Sequence, residues 1–261
     1  MSLDQPSEFV KHQTLTRDAF LDGRLTVSQP RNGFRAGLDS VLLGAATNRA
    51  CTTLLDLGAG VGTASLVSLA HNAALNATLV DHNQDMMLLA KDNIAVNDFA
   101  NRAITMVLDV AAKGAVRAAA GLKTDYYASV IANPPFFVET EGTLALDPGR
   151  AGSRHMRADL LDLWVKTAAA SAAPGGEIIF IYPLDSLGAL LAAFEQRFGG
   201  VIILPMSPRP GEPVTRVMIK GIKGSRAPTN MLAGRALHGP TGRGFAAEFD
   251  AIFRGRARLV W

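Results

Sequence analysis

The stretch Leu54-Leu55-Asp56-Leu57-Gly58-Ala59-Gly60-Val61-Gly62 opens as an apolar strand and closes in three alternating glycines. Residues 63–72 follow with helical spacing. A strand, a tight glycine turn and a helix make half of a βαβ unit. The glycines let the chain turn sharply and let a ligand approach the backbone. The helix beyond supplies free amide donors at its start. The dinucleotide fingerprint requires glycine at position 63, where this chain has Thr63, and its third glycine is Gly62 instead. An acid, Asp56, stands two residues before the first glycine.

Outward from this point the pattern repeats. Residues 77–80, 104–108, 129–132, 177–182 and 201–204 join 53–57 as short, buried strands. Residues 63–72, 84–97, 111–120, 159–172 and 185–197 read as helices between them. Gln84, Asp159 and Asp185 are placed at helix starts, and Pro174-Gly175-Gly176 breaks the chain after a helix. Such alternation predicts an α/β fold with a mostly parallel sheet and helices on both faces. Residues 19–29 alternate as a hairpin does, and 39–50 read as a helix entering the first core strand. Residues 215–220 give one further strand, and a last apolar run covers 245–253.

Three predicted strands end in an acid: Asp56, Asp81 and Asp109. Ligands of open α/β sheets bind at the carboxyl ends of the strands, so the three acids predict one crevice. Acid beside the glycine turn suits a cationic ligand better than a pyrophosphate. S-adenosylmethionine, with an ammonium and a sulfonium, is such a ligand. Asp56 acts on the ammonium directly or holds the loop. Asp81 is placed to accept both ribose hydroxyls, and Asp109 to accept from the adenine amine.

A fourth strand runs Ser129-Val130-Ile131-Ala132 into Asn133-Pro134-Pro135-Phe136-Phe137. The prolines fix the backbone and remove amide donors, leaving carbonyls free to accept. The Asn133 side chain adds an acceptor, and an aromatic face stacks on a planar ring. An exocyclic or amide nitrogen is a weak nucleophile because its lone pair is conjugated. Two acceptors, the Asn133 oxygen and the Pro134 carbonyl, bind its two N–H groups and stabilise the charge that builds during attack. Asn133, Pro134, Pro135 and Phe136 are therefore the candidate catalytic residues. Residues 138–156, rich in Gly, Asp and Arg, are expected to form a mobile loop over the site.

The whole composition bounds the rest. The chain has 261 residues, 48% hydrophobic and 19% charged, enough to bury a core. One cysteine, Cys51, excludes an intrachain disulfide, and no metal-binding Cys/His cluster is present. Neither a secretory signal nor an uncharged apolar run of membrane-spanning length is found, so the expected location is the cytoplasm. Net charge is only +3, yet residues 197–261 hold 11 cations against Glu212, Glu248 and Asp250, while the remainder carries 15 bases and 20 acids. A basic C-terminal segment suits either a phosphate backbone or a plain solvated surface.

Taken in order, the glycine loop, Asp81, Asp109 and Asn-Pro-Pro-Phe resemble the Rossmann-like class I methyltransferases that act on amino nitrogens. The resemblance covers residues 52–204. It implies a mostly parallel seven-stranded sheet and S-adenosylmethionine as cofactor, with Gly58, Gly60 and Gly62 at its methionine part. It implies Asp81 at the ribose, Asp109 at the adenine and Asn133 at the target amine. Phe34-Arg35-Ala36-Gly37-Leu38-Asp39-Ser40-Val41-Leu42-Leu43-Gly44-Ala45 is similar to the segment before the glycine loop in bacterial tRNA adenine-N6 methyltransferases. That similarity makes Arg35, Asp39 and Ser40 cofactor-site candidates. It divides the chain into an N-terminal extension, 1–50, capping the cofactor site, and a methyltransferase domain, 51–261. Phe249-Asp250-Ala251-Ile252-Phe253 resembles the same family's last short helix. The family more often has Lys-Val-Gly-Thr-Asp at 35–39 and Tyr at 136.

The partner implied is RNA, tRNA first, with its adenine splayed out and stacked on Phe136 beneath Phe137 or the following loop. Arg150, Arg154, His155 and Arg157 either meet nearby phosphates or solvate the loop. His12, His71, His82 and His238 form no pattern. Two readings compete. A glutamine-modifying enzyme of the release-factor type carries an N-terminal helical domain, for which some 50 residues are too few. A non-catalytic nucleotide-binding or RNA-binding scaffold has no need to keep Asn133, Pro134, Pro135 and Phe136 together. DNA-adenine and rRNA-guanine enzymes are further variants.

Overall fold

The computed structural model describes residues 15–32, 35–135 and 149–261, and for 149–158 the backbone alone. The chain opens with a hairpin, β1 (Leu15–Phe20) and β2 (Leu25–Pro30), and helix α1 (Leu38–Ala45). Next come β3 (Thr53–Leu57), α2 (Thr63–His71), β4 (Asn76–Asp81), α3 (Gln84–Val96), β5 (Ala103–Val107), α4 (Gly114–Ala119) and β6 (Tyr127–Ala132). The second half holds α5 (Gly149–Ser171), β7 (Ala172–Pro183), α6 (Leu187–Glu195), β8 (Phe198–Ser207) and β9 (Arg216–Lys223). Two short strands, β10 (Asn230–Met231) and β11 (Arg235–Ala236), precede the last helix, α7 (Ala247–Phe253).

The large sheet runs β10-β8-β9-β7-β6-β3-β4-β5, with β11 also on β8. Its seven longer strands are the expected seven. β7, β6, β3, β4 and β5 are mutually parallel, and β9 is antiparallel to both β7 and β8. Alternation within the strands explains the layers. Leu54, Ile131, Ile179 and Ile181 enter one apolar cluster with α1, α2, α3, α7 and β2. Leu55, Leu57, Val130, Ile178 and Phe180 enter the other, with Trp164 and Val165 of α5 and Phe194 of α6. Each face thus meets helices, the only way a two-sided apolar strand is kept from water.

The N-terminal hairpin shares the first of these clusters through Leu25 and Val27. Asn93 of α3 and Asn97, the residue that caps its C-terminus, hold it there. Asn97 accepts from Thr26 N and donates to Thr26 O at 2.9 and 2.8 Å. Asn93, 1% exposed, does the same with Ser28, at 2.8 and 2.9 Å, and donates again to Val61 O at 3.0 Å. The hairpin is therefore tied directly to the glycine loop.

Several sequence expectations need correction. Residues 149–156, expected within a loop, lie in α5, so Asp159 is inside that helix and not at its start. The remaining part of that expected loop, 138–148, lies outside the described residues. Pro174-Gly175-Gly176 does follow a helix, but the strand begins before it, at Ala172. Tyr127 pairs with Ala172 and Ser129 with Glu177, so the breaker loops out of a ladder that continues on both sides. The helix expected over 39–50 stops at Ala45. The helix start placed at Gln84 is capped by Asn83, whose side chain accepts from Asp85 N and Met86 N.

Candidate active site

The parallel register puts Leu57, Asp81, Ala132 and Pro183 along one edge of the sheet. At that edge Gly58 N and Ala59 N both donate to Val80 O, at 2.8 and 2.9 Å, which swings the chain across the end of β4. Gly58, Gly60 and Gly62 have φ of 69, 54 and 88°, where side chains are strained. A Cβ on Gly58 would sit 2.5 Å from the Trp164 ring, and one on Gly62 2.8 Å from Leu79 Cδ2. At Gly60 nothing lies within 4 Å of that position. Two glycines are demanded by packing from within; the middle one faces open space.

The acids differ in what they offer. Asp81 Oδ2 accepts from Gly60 N at 3.0 Å and its Oδ1 from Asn83 N at 2.9 Å, fixing the carboxylate beside the loop. Asp109 is exposed and accepts from Ala111 N at 2.8 Å. Asp56 is 2% exposed and accepts from Ser65 Oγ at 2.8 Å. Burial pushes its carboxyl up to about 7, against the Ser65 hydrogen bonds. Of the two roles left open by sequence, this geometry is that of a brace between β3 and α2.

Just beyond β6, the Asn133 Oδ1 is buried and has no hydrogen-bond partner among the described residues. An unsatisfied buried oxygen costs about 1–3 kcal/mol, so its position points to a donor that arrives with a ligand. Pro134 is buried, and the Pro135 carbonyl accepts from the Tyr182 hydroxyl at 3.2 Å. Tyr182, 4% exposed on β7, thus pins the segment from the neighbouring strand. Phe136, Phe137 and Phe34 lie outside the described residues.

Two of the N-terminal candidates, Arg35 and Asp39, have charged partners. Arg35 donates to Asp18 Oδ2 at 2.6 Å, to Thr16 Oγ1 at 2.8 Å and to Pro30 O at 2.9 Å. Its guanidinium ties the entry to α1 onto the hairpin. Asp39, in the first turn of α1, is paired with Arg216 of β9 at 2.7 Å. Ser40 is buried. Arg216, Tyr182, Ser65 and Asn93 carried no signal that sequence reading used. The spacing of Asn93 and Asn97 on the inner side of a helix was the one usable hint.

The family model for the "Methyltransferase small domain" matches residues 38–147. A crystal structure from Agrobacterium tumefaciens, described as a predicted O-methyltransferase, is 30% identical in sequence, with a TM-score of 0.71. The match covers 85% of this chain and 98% of that one.

The chain belongs to the class I methyltransferases.

A curated relative of this methyltransferase, the tRNA1(Val) (adenine(37)-N6)-methyltransferase of Parabacteroides distasonis, is 28% identical over 199 residues, 76% of this chain and 80% of the relative. The Thermus thermophilus 16S rRNA N2 G1207 methyltransferase, solved with AdoMet and guanosine, shares the fold at a TM-score of 0.54 and 19% identity, over 80% of this chain and 50% of that one. The methyltransferase is S-adenosylmethionine-dependent. Its residues fit that cofactor: an open backbone at Gly60 and a fixed carboxylate at Asp81 lie on the strand edge that also carries the unpaired Asn133 oxygen. Among the described residues no cluster able to hold a metal is found, and no helix is long and apolar enough to cross a membrane.

Proposed function

We propose that this methyltransferase methylates the exocyclic N6 amine of an adenine in tRNA. The observation that carries the proposal is the buried Asn133 oxygen beside Pro134 and Pro135, unpaired among the described residues. The segment offers acceptors and no titratable base. A hydroxyl nucleophile needs its proton taken as it attacks, whereas a conjugated amine needs its two N–H groups held and its developing charge met. The name of the Parabacteroides relative points the same way.

In this reading Asn133 Oδ1 and the Pro134 carbonyl accept from the adenine amine, and Phe136 stacks on the base. Tyr182 keeps the Pro-Pro turn at fixed height through Pro135. S-adenosylmethionine supplies the methyl group when bound. Asp81 takes the ribose hydroxyls and Asp109 the adenine amine of the cofactor. Gly58, Gly60 and Gly62 admit its methionine part, with Asp56 bracing the loop through Ser65. Residues 1–50 serve as an extension that completes the cofactor site: Asp39 and Ser40 face it from α1, and Arg35 sets the entry to that helix. The Asn93 bridge from Ser28 to Val61 supports this coupling.

The test is transfer of a tritiated methyl group onto separate tRNA, rRNA, DNA and protein fractions, followed by nucleoside analysis. Label recovered as N6-methyladenosine in tRNA is expected. Label confined to protein sinks the reading in favour of a glutamine target.

A further inference from the structure

Of the 11 cations between Arg197 and Trp261, nine have partners. Arg197 pairs with Asp162, Arg216 with Asp39, Lys223 with Asp125 and Arg235 with Glu248. Arg254 and Arg256 both pair with Asp22, Arg258 donates to Thr47, and Lys220 lies over the Trp261 ring. Arg209 donates to two backbone carbonyls, Gly239 O at 2.9 Å and Gly242 O at 2.6 Å. Among the described residues only Arg226 and Arg243 are left without a partner. Arg226 follows the end of β9 remote from Asn133. Arg243 stands at the other end of the sheet.

The register fixes that position. Ala132 pairs with Phe180 one strand over, Pro183 with Arg216, and Arg216 with Met206. β11 runs parallel to β8, Arg235 beside Met206, so the chain emerges past Ser207 at the same edge as Asn133. Leu237 N then donates to Ser207 O and His238 N to Pro208 O, both at 2.9 Å. The turn closes with Gly239 N on Gly244 O at 3.3 Å and Ala246 N on Leu237 O at 2.9 Å. His238 stacks on Phe245, centroids 4.8 Å apart, and Phe245 packs on Phe253 at 4.5 Å. The base of the turn is thus rigid.

Its tip has an electrical polarity. Arg209 takes up the Gly239 and Gly242 carbonyls. The amides of Thr241, Gly242, Arg243 and Gly244 donate to no acceptor among the described residues. Gly242, at φ 76°, and Gly244 have nothing within 4 Å where a Cβ would be. Bare amides beside an exposed, unpaired guanidinium make a receptor for an anion. The sheet order says which anion. The cofactor candidates occupy the β3, β4 and β5 side of Asn133, so substrate must enter from β7, β9 and β8. The turn leaves from β11, on the far side of β8 and four strand spacings from β6, roughly 19 Å, beyond the target nucleotide itself but within reach of its flanking chain.

We propose that the turn from Leu237 to Ala246, with Arg243 at its tip, binds a phosphodiester of the substrate RNA flanking the methylated nucleotide. The proposal rests on the RNA reading given above. The shared chemistry is a phosphate oxygen, from RNA backbone or from free phosphate.

The experiment compares the full-length wild type with Arg243→Ala and Arg243→Glu. It measures binding of unmodified tRNA across a salt series, methylation kinetics, and S-adenosylhomocysteine affinity by calorimetry. Arg243→Ala is expected to weaken tRNA binding by about fivefold to twentyfold, with the glutamate variant weaker still. The slope of log affinity against log salt should become shallower by about one. Affinity for S-adenosylhomocysteine and kcat at saturating tRNA should stay within twofold (~2), which separates a lost contact from a misfolded chain. Wild-type affinity and slope in both variants overturn the proposal. Inorganic phosphate should compete with tRNA beyond its ionic strength in the wild type but not in Arg243→Ala, whereas phosphate that binds at the turn without displacing tRNA overturns the proposal, because the turn is then an ion site only. Failure of the wild type to bind or methylate any tRNA overturns the RNA reading itself, and shows without recourse to a variant.

Discussion

The glycine-loop edge and the C-terminal third both carry many polar groups, and the structure treats them in opposite ways. At the loop edge, polar atoms are left open among the described residues: the Asn133 oxygen is unpaired, Gly60 faces free space, and Asp109 accepts a single hydrogen bond from its own loop. In the C-terminal third, nearly every cation is closed by an acid, a carbonyl or a ring. A count of charges singles out the second region. The groups left open point to the first through Asn133, and in the second to Arg226, Arg243 and the buried Arg258 Nη1. Binding is located by the polar groups a fold leaves unanswered, because each answered group has already exchanged its water for protein.

The comparison breaks most readily at Asn133. Asn133→Ala is expected to lower methyl transfer by roughly 10²-fold or more, with S-adenosylhomocysteine affinity nearly unchanged. Asp81→Ala should show the converse: cofactor affinity down by about tenfold to a hundredfold, since a fixed carboxylate loses charge-assisted hydrogen bonds. Single-turnover rates at saturating cofactor, set beside calorimetric affinities, separate the two. Equal loss of cofactor binding in Asn133→Ala would mean that the unpaired oxygen serves the cofactor and not the target amine.

How much of this was legible follows from how local each signal is. The three glycines announce themselves because left-handed φ values are a property of a few adjacent residues. Asp81 and Asp109 are legible because a strand end is set by the strand's own apolar run. Arg216 was not legible as the partner of Asp39, 177 residues away. Nor was Arg254 as the partner of Asp22, 232 residues away, and so a basic segment looked like an open surface. The early start of α5 was missed for a different reason. Residues 149–158 hold two glycines and few apolar residues, and a segment that short is marginal as a helix by itself, yet they extend a helix whose apolar half, around Leu161 and Trp164, is anchored in the core.

Asp56 sharpens the contrast, because it is a closed atom at the open edge. Its folded carboxyl titrates at about 7 through burial, against about 4 in the unfolded chain. Between those values the folded state keeps a proton that the unfolded state gives up. Stability from this group is therefore complete at low pH and declines as pH rises through the window, levelling off above 7. Asp56→Asn keeps the Ser65 hydrogen bond and removes the titration. Its unfolding free energy should lose that decline and exceed the wild type at pH 8 by roughly 1–3 kcal/mol, with a smaller loss of cofactor affinity than Asp81→Ala. Denaturant titrations at pH 5 and pH 8 decide it. A variant that loses cofactor binding as completely as Asp81→Ala points to contact with the cofactor's ammonium instead of a brace.

The smallest effect is expected at a closed surface pair of the C-terminal third. Arg235 Nη1 lies 2.7 Å from Glu248 Oε1, and Glu248 is about half exposed. Such pairs contribute about 0–1 kcal/mol to stability. Removing Arg235 alone would also change net charge and disturb RNA binding at long range, so the informative variant is Arg235→Gln with Glu248→Gln. It deletes a cation and an anion together, and beyond a Debye length of about 8 Å the field is unaltered. If the closed cations take no part in recognition, this double variant binds tRNA with the wild-type affinity and salt slope, and its Tm moves by no more than a few degrees (~3 °C). The same measurement on Arg243→Ala should show the loss. A double variant that weakens tRNA as much as Arg243→Ala does would put paired and unpaired arginines on one footing, and the C-terminal charge would then act as a diffuse field and not through a single exposed turn.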